Sequence, residues 1–379
     1  MASRSVPTIA CGLDHNLCIN KDDLVSSFGY SECNAHGDEA ELVFPPRLIP
    51  LMKNIKAVTV GSCHSACLDY SGNVFTFGSN EYGQLGIGKD NTELFCTPIP
   101  QKVNLPPCKE VSCGVYYTIC LLRNGDLYSF GYNLNGELGL GSNNYIHNVP
   151  QKILSLEDVE LVECGSNYTF CKTINNQIFT WGYNEHGSLG LGNFDNHRIP
   201  IQNLLLTNIE IVDIKCGYLH TLLLTSNLEV LSCGNNLEGQ LGREITGENA
   251  STFQKIPTLS EITRIECGSF QSMCINAYND LYVFGFNSNG ELGLSDNNHR
   301  YNPIKHPSLS NIIDISKGGD HTFVKTSKNE IYAFGCSSKS QLGIQTNQNN
   351  HSTPIRVFED NEDIWFSNIN KSKAKSARF

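Results

Sequence analysis

The chain has 379 residues and a formal charge of −11, from 27 basic and 38 acidic side chains. That balance excludes a globally cationic nucleic-acid-binding surface, and no run of 18 apolar residues is present to cross a membrane as a helix. Hydrophobic residues at 40% can build a sizeable core, and 33 glycines point to many turns and short strands rather than long helices. Residues 1–7 form a short N-terminal extension without the apolar stretch of a secretory signal. The sixteen cysteines sit in a long chain, not a small disulfide scaffold, and are expected to be reduced thiols. A cytoplasmic or nuclear location, not secretion, is the expectation.

From Thr8 onward one unit recurs seven times. A first glycine stands at Gly12, Gly61, Gly114, Gly165, Gly217, Gly268 and Gly318. A second follows 17 residues later in every copy, from Gly29 to Gly335, and a third 8 residues after that, from Gly37 to Gly343. Within each copy an apolar run such as Thr221-Leu222-Leu223-Leu224 leads into a turn rich in Asn, Asp and Gly. Such turns suit the positive φ of hairpins. A second strand then rises to the second glycine, carrying Phe28, Phe77, Phe130, Trp181, Cys233, Phe284 or Phe334 just before it. β-branched and aromatic residues at these points fit a pleated, buried surface. A glycine-rich loop and a less regular stretch with Pro and Ile complete the unit.

Four short strands fit in each unit of about 51 residues, and a lone four-stranded sheet cannot bury both its faces. The expected fold is therefore all-β: a seven-bladed propeller of four-stranded antiparallel blades over residues 8–370. Closure is expected through a blade shared by the N-terminal strand at Thr8-Ile9-Ala10 and a C-terminal strand at Ile364-Trp365-Phe366. Residues 371–379 carry four basic and no acidic side chains and are expected to be a basic disordered tail.

The glycine loop reads Gly83-Gln84-Leu85-Gly86 in copy two, Gly136-Glu137-Leu138-Gly139 in copy three and Gly239-Gln240-Leu241-Gly242 in copy five. Together with Cys216-Gly217, His220 and Thr221, it resembles the regulator of chromosome condensation repeat. The resemblance implies a propeller and several possible functions. The founding member is a guanine-nucleotide exchange factor for the GTPase Ran and docks on nucleosomes. Relatives include a plant ultraviolet-B photoreceptor, modules of HECT-type ubiquitin ligases and a bacterial β-lactamase inhibitor. The photoreceptor senses light through clustered tryptophans, whereas this chain has only Trp181 and Trp365. The exchange factor carries a wedge inserted in one blade. Here 24 to 28 residues separate each third glycine from the next first glycine, too few for a clear extra hairpin.

Three positions after the first glycines stand His15, His64, Tyr117, Tyr168, His220, Gln271 and His321. One polar or aromatic group per blade at one register belongs to one rim. It is expected either to bond neighbouring turns or to form a ring of partner contacts. Cys11, Cys113, Cys164, Cys216 and Cys267 precede the first glycine, and Cys18, Cys67, Cys120, Cys171 and Cys274 follow it by six. Both positions are Val, Leu or Lys in other copies, so small buried hydrophobes are expected there and no metal site. The run Gly83 to Lys89 imitates a phosphate-binding loop, but Asp90 stands where Ser or Thr should hold magnesium. No catalytic residues, metal or cofactor are expected. The reading is a monomeric platform for another protein, with exchange activity on a Ran-like or other small GTPase as the alternative.

Overall fold

Each continuous apolar run becomes a strand buried on both faces, because every sheet is covered by two neighbours. In blade five, His220–Thr225 is buried along its whole length and is flanked by Ile211–Cys216 and Val230–Asn235. The computed structural model describes residues 9–88, 95–245, 247–344 and 346–357. They form seven four-stranded antiparallel sheets, each built from four consecutive strands. The first strands stand side by side around the axis, and each adjoins the first strand of the next blade. The fourth strands form the outer edge. They hold the Pro-bearing stretches that looked irregular in sequence, such as Cys96–Lys102 and His197–Gln202. An outer edge tolerates a residue that cannot donate to the ladder.

The core lies between the blades as seven apolar clusters, one per interface. The residue before each second glycine is fully buried in all seven copies. In four interfaces that aromatic ring packs on the third glycine of the preceding blade. A Cβ at Gly139 would lie 2.8 Å from Trp181 Nε1, and one at Gly86 2.7 Å from Phe130. In blade five this residue is only Cys233, and Phe253 from the outer strand fills the gap, 2.2 Å from a Cβ at Gly190.

Closure differs from the sequence expectation. Blade one is complete in itself, as Ile9–Cys11, His15–Ile19, Val25–Tyr30 and Leu42–Leu48. Blade seven is likewise complete, ending in Asn350–Val357. No sheet among the described residues is shared by the two ends. The opening strand of blade one is Ile9–Cys11, paired with His15–Ile19 of the same blade. The ring closes by packing instead. Ile9, Cys18 and Phe28 meet Phe323, Ala333, Leu342 and Val357, with the Phe28 and Phe323 rings edge to face at 5.8 Å. Residues 1–7, the segment Ile364-Trp365-Phe366 and residues 371–379 lie outside the described residues.

Candidate functional site

The seven residues three positions after the first glycines come together in one belt, but not on a surface. His15, His64, Tyr117, Tyr168, His220, Gln271 and His321 are all 0–1% exposed. The expectation of a partner-contact ring is corrected: these side chains tie each blade to the next. His15, His64 and His220 bond through Nε2 to Ser65 Oγ (3.0 Å), Thr118 Oγ1 (3.0 Å) and Ser272 Oγ (2.9 Å). The Tyr117 hydroxyl donates to the Tyr168 carbonyl, and that of Tyr168 to the His220 carbonyl. Gln271 Nε2 donates to Gly319 O, and His321 Nε2 meets Asn16 Oδ1 at 2.6 Å across the closing interface.

The partner hydroxyls assign the tautomer. Ser65, Thr118 and Ser272 each donate to a carbonyl of the preceding blade, on Ala35, Gln84 and Gln240. They must therefore accept from the imidazoles, so Nε2 carries the proton. The Nδ1 atoms of His64, His220 and His321 are buried without a partner. A second proton would have nothing to donate to, and burial holds these three histidines down at about 3. The same rings explain the first glycines. A Cβ at Gly217 would sit 2.3 Å from His220 Cε1, and one at Gly114 only 1.9 Å from Tyr117 Cε1. The bonding Ser and Thr residues one position further on were missed as a class by sequence reasoning. Their signal was the recurring hydroxyl that follows the His or Tyr.

Inside the belt, the triplets centred on the first glycines of all seven blades, five of them Cys-Gly-x and the others Val60-Gly61-Ser62 and Lys317-Gly318-Gly319, line a central well of about 140 Å³. The cysteines before the first glycines therefore divide. Cys164 and Cys267 are buried, while Cys11, Cys113 and Cys216 are half-buried in the well wall. Cys18, Cys67, Cys120, Cys171 and Cys274 are buried as expected, and all sixteen thiols are free. Lys317 takes the cysteine position in blade seven. Its Nζ donates to Thr322 Oγ1 at 2.7 Å, and burial pulls its ammonium down to about 8 against the pull of Glu291 and Asp320. Two carboxyls move the other way. Burial lifts Glu137 in its glycine loop and Glu266, beside Cys267, each to about 7. Among the described residues no group of three or more His, Cys, Asp or Glu is arranged to hold a metal ion.

What the molecule offers to a partner is the face formed by the glycine loops. Antiparallel order puts the turn after each first strand and the loop after each third strand at the same end. On that end Tyr82, Tyr116 and Tyr132 make a three-ring cluster with centroids 4.8–6.3 Å apart. A second run joins Tyr218, Phe270, Phe286 and His299 at 4.8–6.5 Å. All these rings are partly open to solvent, Tyr218 at 39%. Sequence reasoning did not select them, because they fall at positions that change from copy to copy.

Models of the regulator of chromosome condensation (RCC1) repeat match residues 71–121, 124–171, 175–224, 229–275 and 278–324, more than half of the chain. The chain belongs to the RCC1 repeat family. Among RCC1 relatives, it is 29% identical to the ultraviolet-B receptor UVR8 of Arabidopsis thaliana over 77% of this chain and 67% of the receptor. It is 31% identical to the mitochondrial RCC1 domain-containing protein RUG3 of the same plant over 76% of this chain and 66% of that one. It is 32% identical to the human probable ubiquitin ligase HERC6 over 58% of the chain, a match that spans only 22% of HERC6. The fold matches the yeast RCC1 protein Prp20, crystallised with Kap60, with a TM-score of 0.78 over 96% of this chain and 90% of that one at 19% identity. It also matches human WBSCR16, with a TM-score of 0.75 over 86% and 87% at 23% identity.

Proposed function

We propose that this RCC1-repeat propeller, taken as residues 8–370, is a non-enzymatic platform that holds another protein on its glycine-loop face. One observation carries the reading: aromatic rings of several blades touch one another on that face and stay partly open to solvent. Tyrosine and phenylalanine are favoured interface anchors because they bury large area at little entropic cost. Exposed apolar side chains at the opposite end, such as Leu51 and Leu154, sit singly in separate turns, a normal surface feature. The inter-blade hydrogen bonds make the ring rigid, so little ordering entropy is lost on docking. The test is affinity purification of the intact chain beside the double variant Tyr116→Ala, Tyr218→Ala. The variant should keep its circular dichroism and lose the partner. A full partner yield from the folded variant would refute the assigned face.

A second reading, guanine-nucleotide exchange on a Ran-like GTPase, is supported by likeness to Prp20p of Saccharomyces cerevisiae, whose structure was described with its binding to Gsp1p and histones. Exchange would act by holding the nucleotide-free GTPase more tightly than the loaded one, a differential-affinity mechanism. Accelerated release of labelled GDP would establish it, and unchanged release across candidate GTPases would remove it. A cytoplasmic or nuclear location belongs to the same proposal and is tested by cell fractionation.

A further inference from the structure

The glycine-loop face holds one aromatic–carboxylate cradle that is already filled by a cation. In blade one, the Tyr30 hydroxyl donates to Glu32 Oε1 at 3.0 Å. Lys339 reaches over from blade seven. Its Nζ lies 5.1 Å from the Tyr30 ring centroid and 2.7 Å from Asp14 Oδ2. This is cation–π contact backed by a carboxylate, a standard way to hold an ammonium or guanidinium group.

The same cradle recurs in blade four without a lysine, its Tyr183 ring flanked instead by the His186 ring at 5.9 Å. Tyr183 and Glu185 occupy the repeat positions of Tyr30 and Glu32, one and three residues after the second glycine. The Tyr183 hydroxyl again donates to the carboxylate, here at 3.3 Å. The position equivalent to Lys339 in the preceding blade is Asn135, and that equivalent to Asp14 is Asn167. Among the described residues no basic side chain forms an ion pair with Glu185 or with Glu81, which stands beside the Tyr82 ring in the neighbouring cluster. Both carboxylates are exposed.

We propose that the Tyr183–Glu185 cradle and the adjoining Tyr82–Tyr116–Tyr132 cluster with Glu81 bind a lysine- or arginine-rich segment of the partner protein. The inference rests on the platform reading and deepens it by naming the chemistry of the partner. Charge complementarity favours this occupant. The protein carries −11 overall, and Glu81 and Glu185 put negative charge that is unpaired among the described residues beside half-open rings. An acidic or phosphorylated segment would meet repulsion there. A purely apolar one would leave the carboxylates desolvated and unpaired.

The experiment titrates the full chain with a fluorescein-labelled nonapeptide of alternating Lys, Arg and Gly, and with its counterpart in which Gln replaces every Lys and Arg. Anisotropy is read at 50 and 200 mM salt. The basic peptide should bind, more weakly at the higher salt, and the Gln peptide should not. The variant Tyr183→Leu, Glu185→Gln, Glu81→Gln should lose about tenfold in affinity. The variant Glu229→Gln, Glu330→Gln, altered in hairpin turns at the other end, should stay within twofold. Absence of basic-peptide binding would overturn the inference. So would equal affinity in the cradle variant, or an equal loss in the opposite-end variant, which would reveal only general attraction to an acidic chain. If the peptide fails while the cellular partner still depends on Tyr116 and Tyr218, the platform stands and the cationic segment falls.

Discussion

Replacing His220 by Gln should flatten the acid sensitivity of the ring without opening it. Blade six already uses Gln271 at this register, donating to Gly319 O across its interface, so the substitution keeps a donor in a space of known shape. His220 is fully buried and held at about 3, against about 6.5 for a free imidazole. Its folded pKa lies below its unfolded one, so the unfolded chain takes up the proton first as pH falls. The stability tied to the neutral ring is therefore complete above about pH 6.5. It is lost progressively down to the folded value near 3. At pH 5.5 the difference amounts to RT times the logarithm of about 11, or about 1.4 kcal/mol for this one residue. His64 and His321 each add a similar loss. Urea unfolding followed by circular dichroism at pH 7.5 and 5.5 gives the change in stability for both proteins. The change in His220→Gln should be smaller than in the parent by about 1.4 kcal/mol. Groups that titrate elsewhere, including Glu137 and Glu266, act equally on both proteins and drop out of the comparison. An identical pH dependence in the two proteins would refute the assignment of a neutral, unpartnered Nδ1 in the belt.

Three further outcomes follow from the same geometry. Glu137→Gln should stabilise the protein above pH 7 by roughly 1–3 kcal/mol and make little difference near pH 4.5. Burial raises this carboxyl to about 7, so ionising it at higher pH costs the folded state, and Gln84, Gln240 and Gln341 already serve at this position; urea midpoints at pH 5 and 8 check the sign. Gly114→Ala should destabilise by roughly 1–3 kcal/mol, because the new Cβ meets Tyr117 Cε1 at 1.9 Å while the Tyr117 hydroxyl holds the ring to blade four; thermal unfolding reads it. Trp181→Phe should lose roughly 1–2 kcal/mol, since Trp181 Nε1 donates to Glu137 O at 2.8 Å and loss of the five-membered ring that packs on Gly139 leaves a gap there; a midpoint unchanged in urea would contradict that contact.

The three glycine registers carried the architecture because each has a local cause. The second glycines adopt φ near +103° or above, as at Gly29 and Gly131, a region closed to other residues at little cost. The first and third glycines leave room for a ring that recurs in the same register, whether His220 or Trp181. Strand, turn and blade number were therefore written in spacing alone. The closure was not. Whether Ile9 opens its own blade or shares one depends on packing between residues about 300 positions apart, such as Asn16 with Gln341 O and Phe28 with Phe323. Nor does a period reveal exposure. A histidine at one register reads alike whether it faces solvent or a neighbouring blade, and only the stacking of blade on blade buried all seven belt residues. The aromatic face was hidden for the opposite reason. Tyr82, Tyr116 and Tyr132 lie up to 50 residues apart at three different registers of the repeat, and only the circular arrangement brings their rings within 6.3 Å.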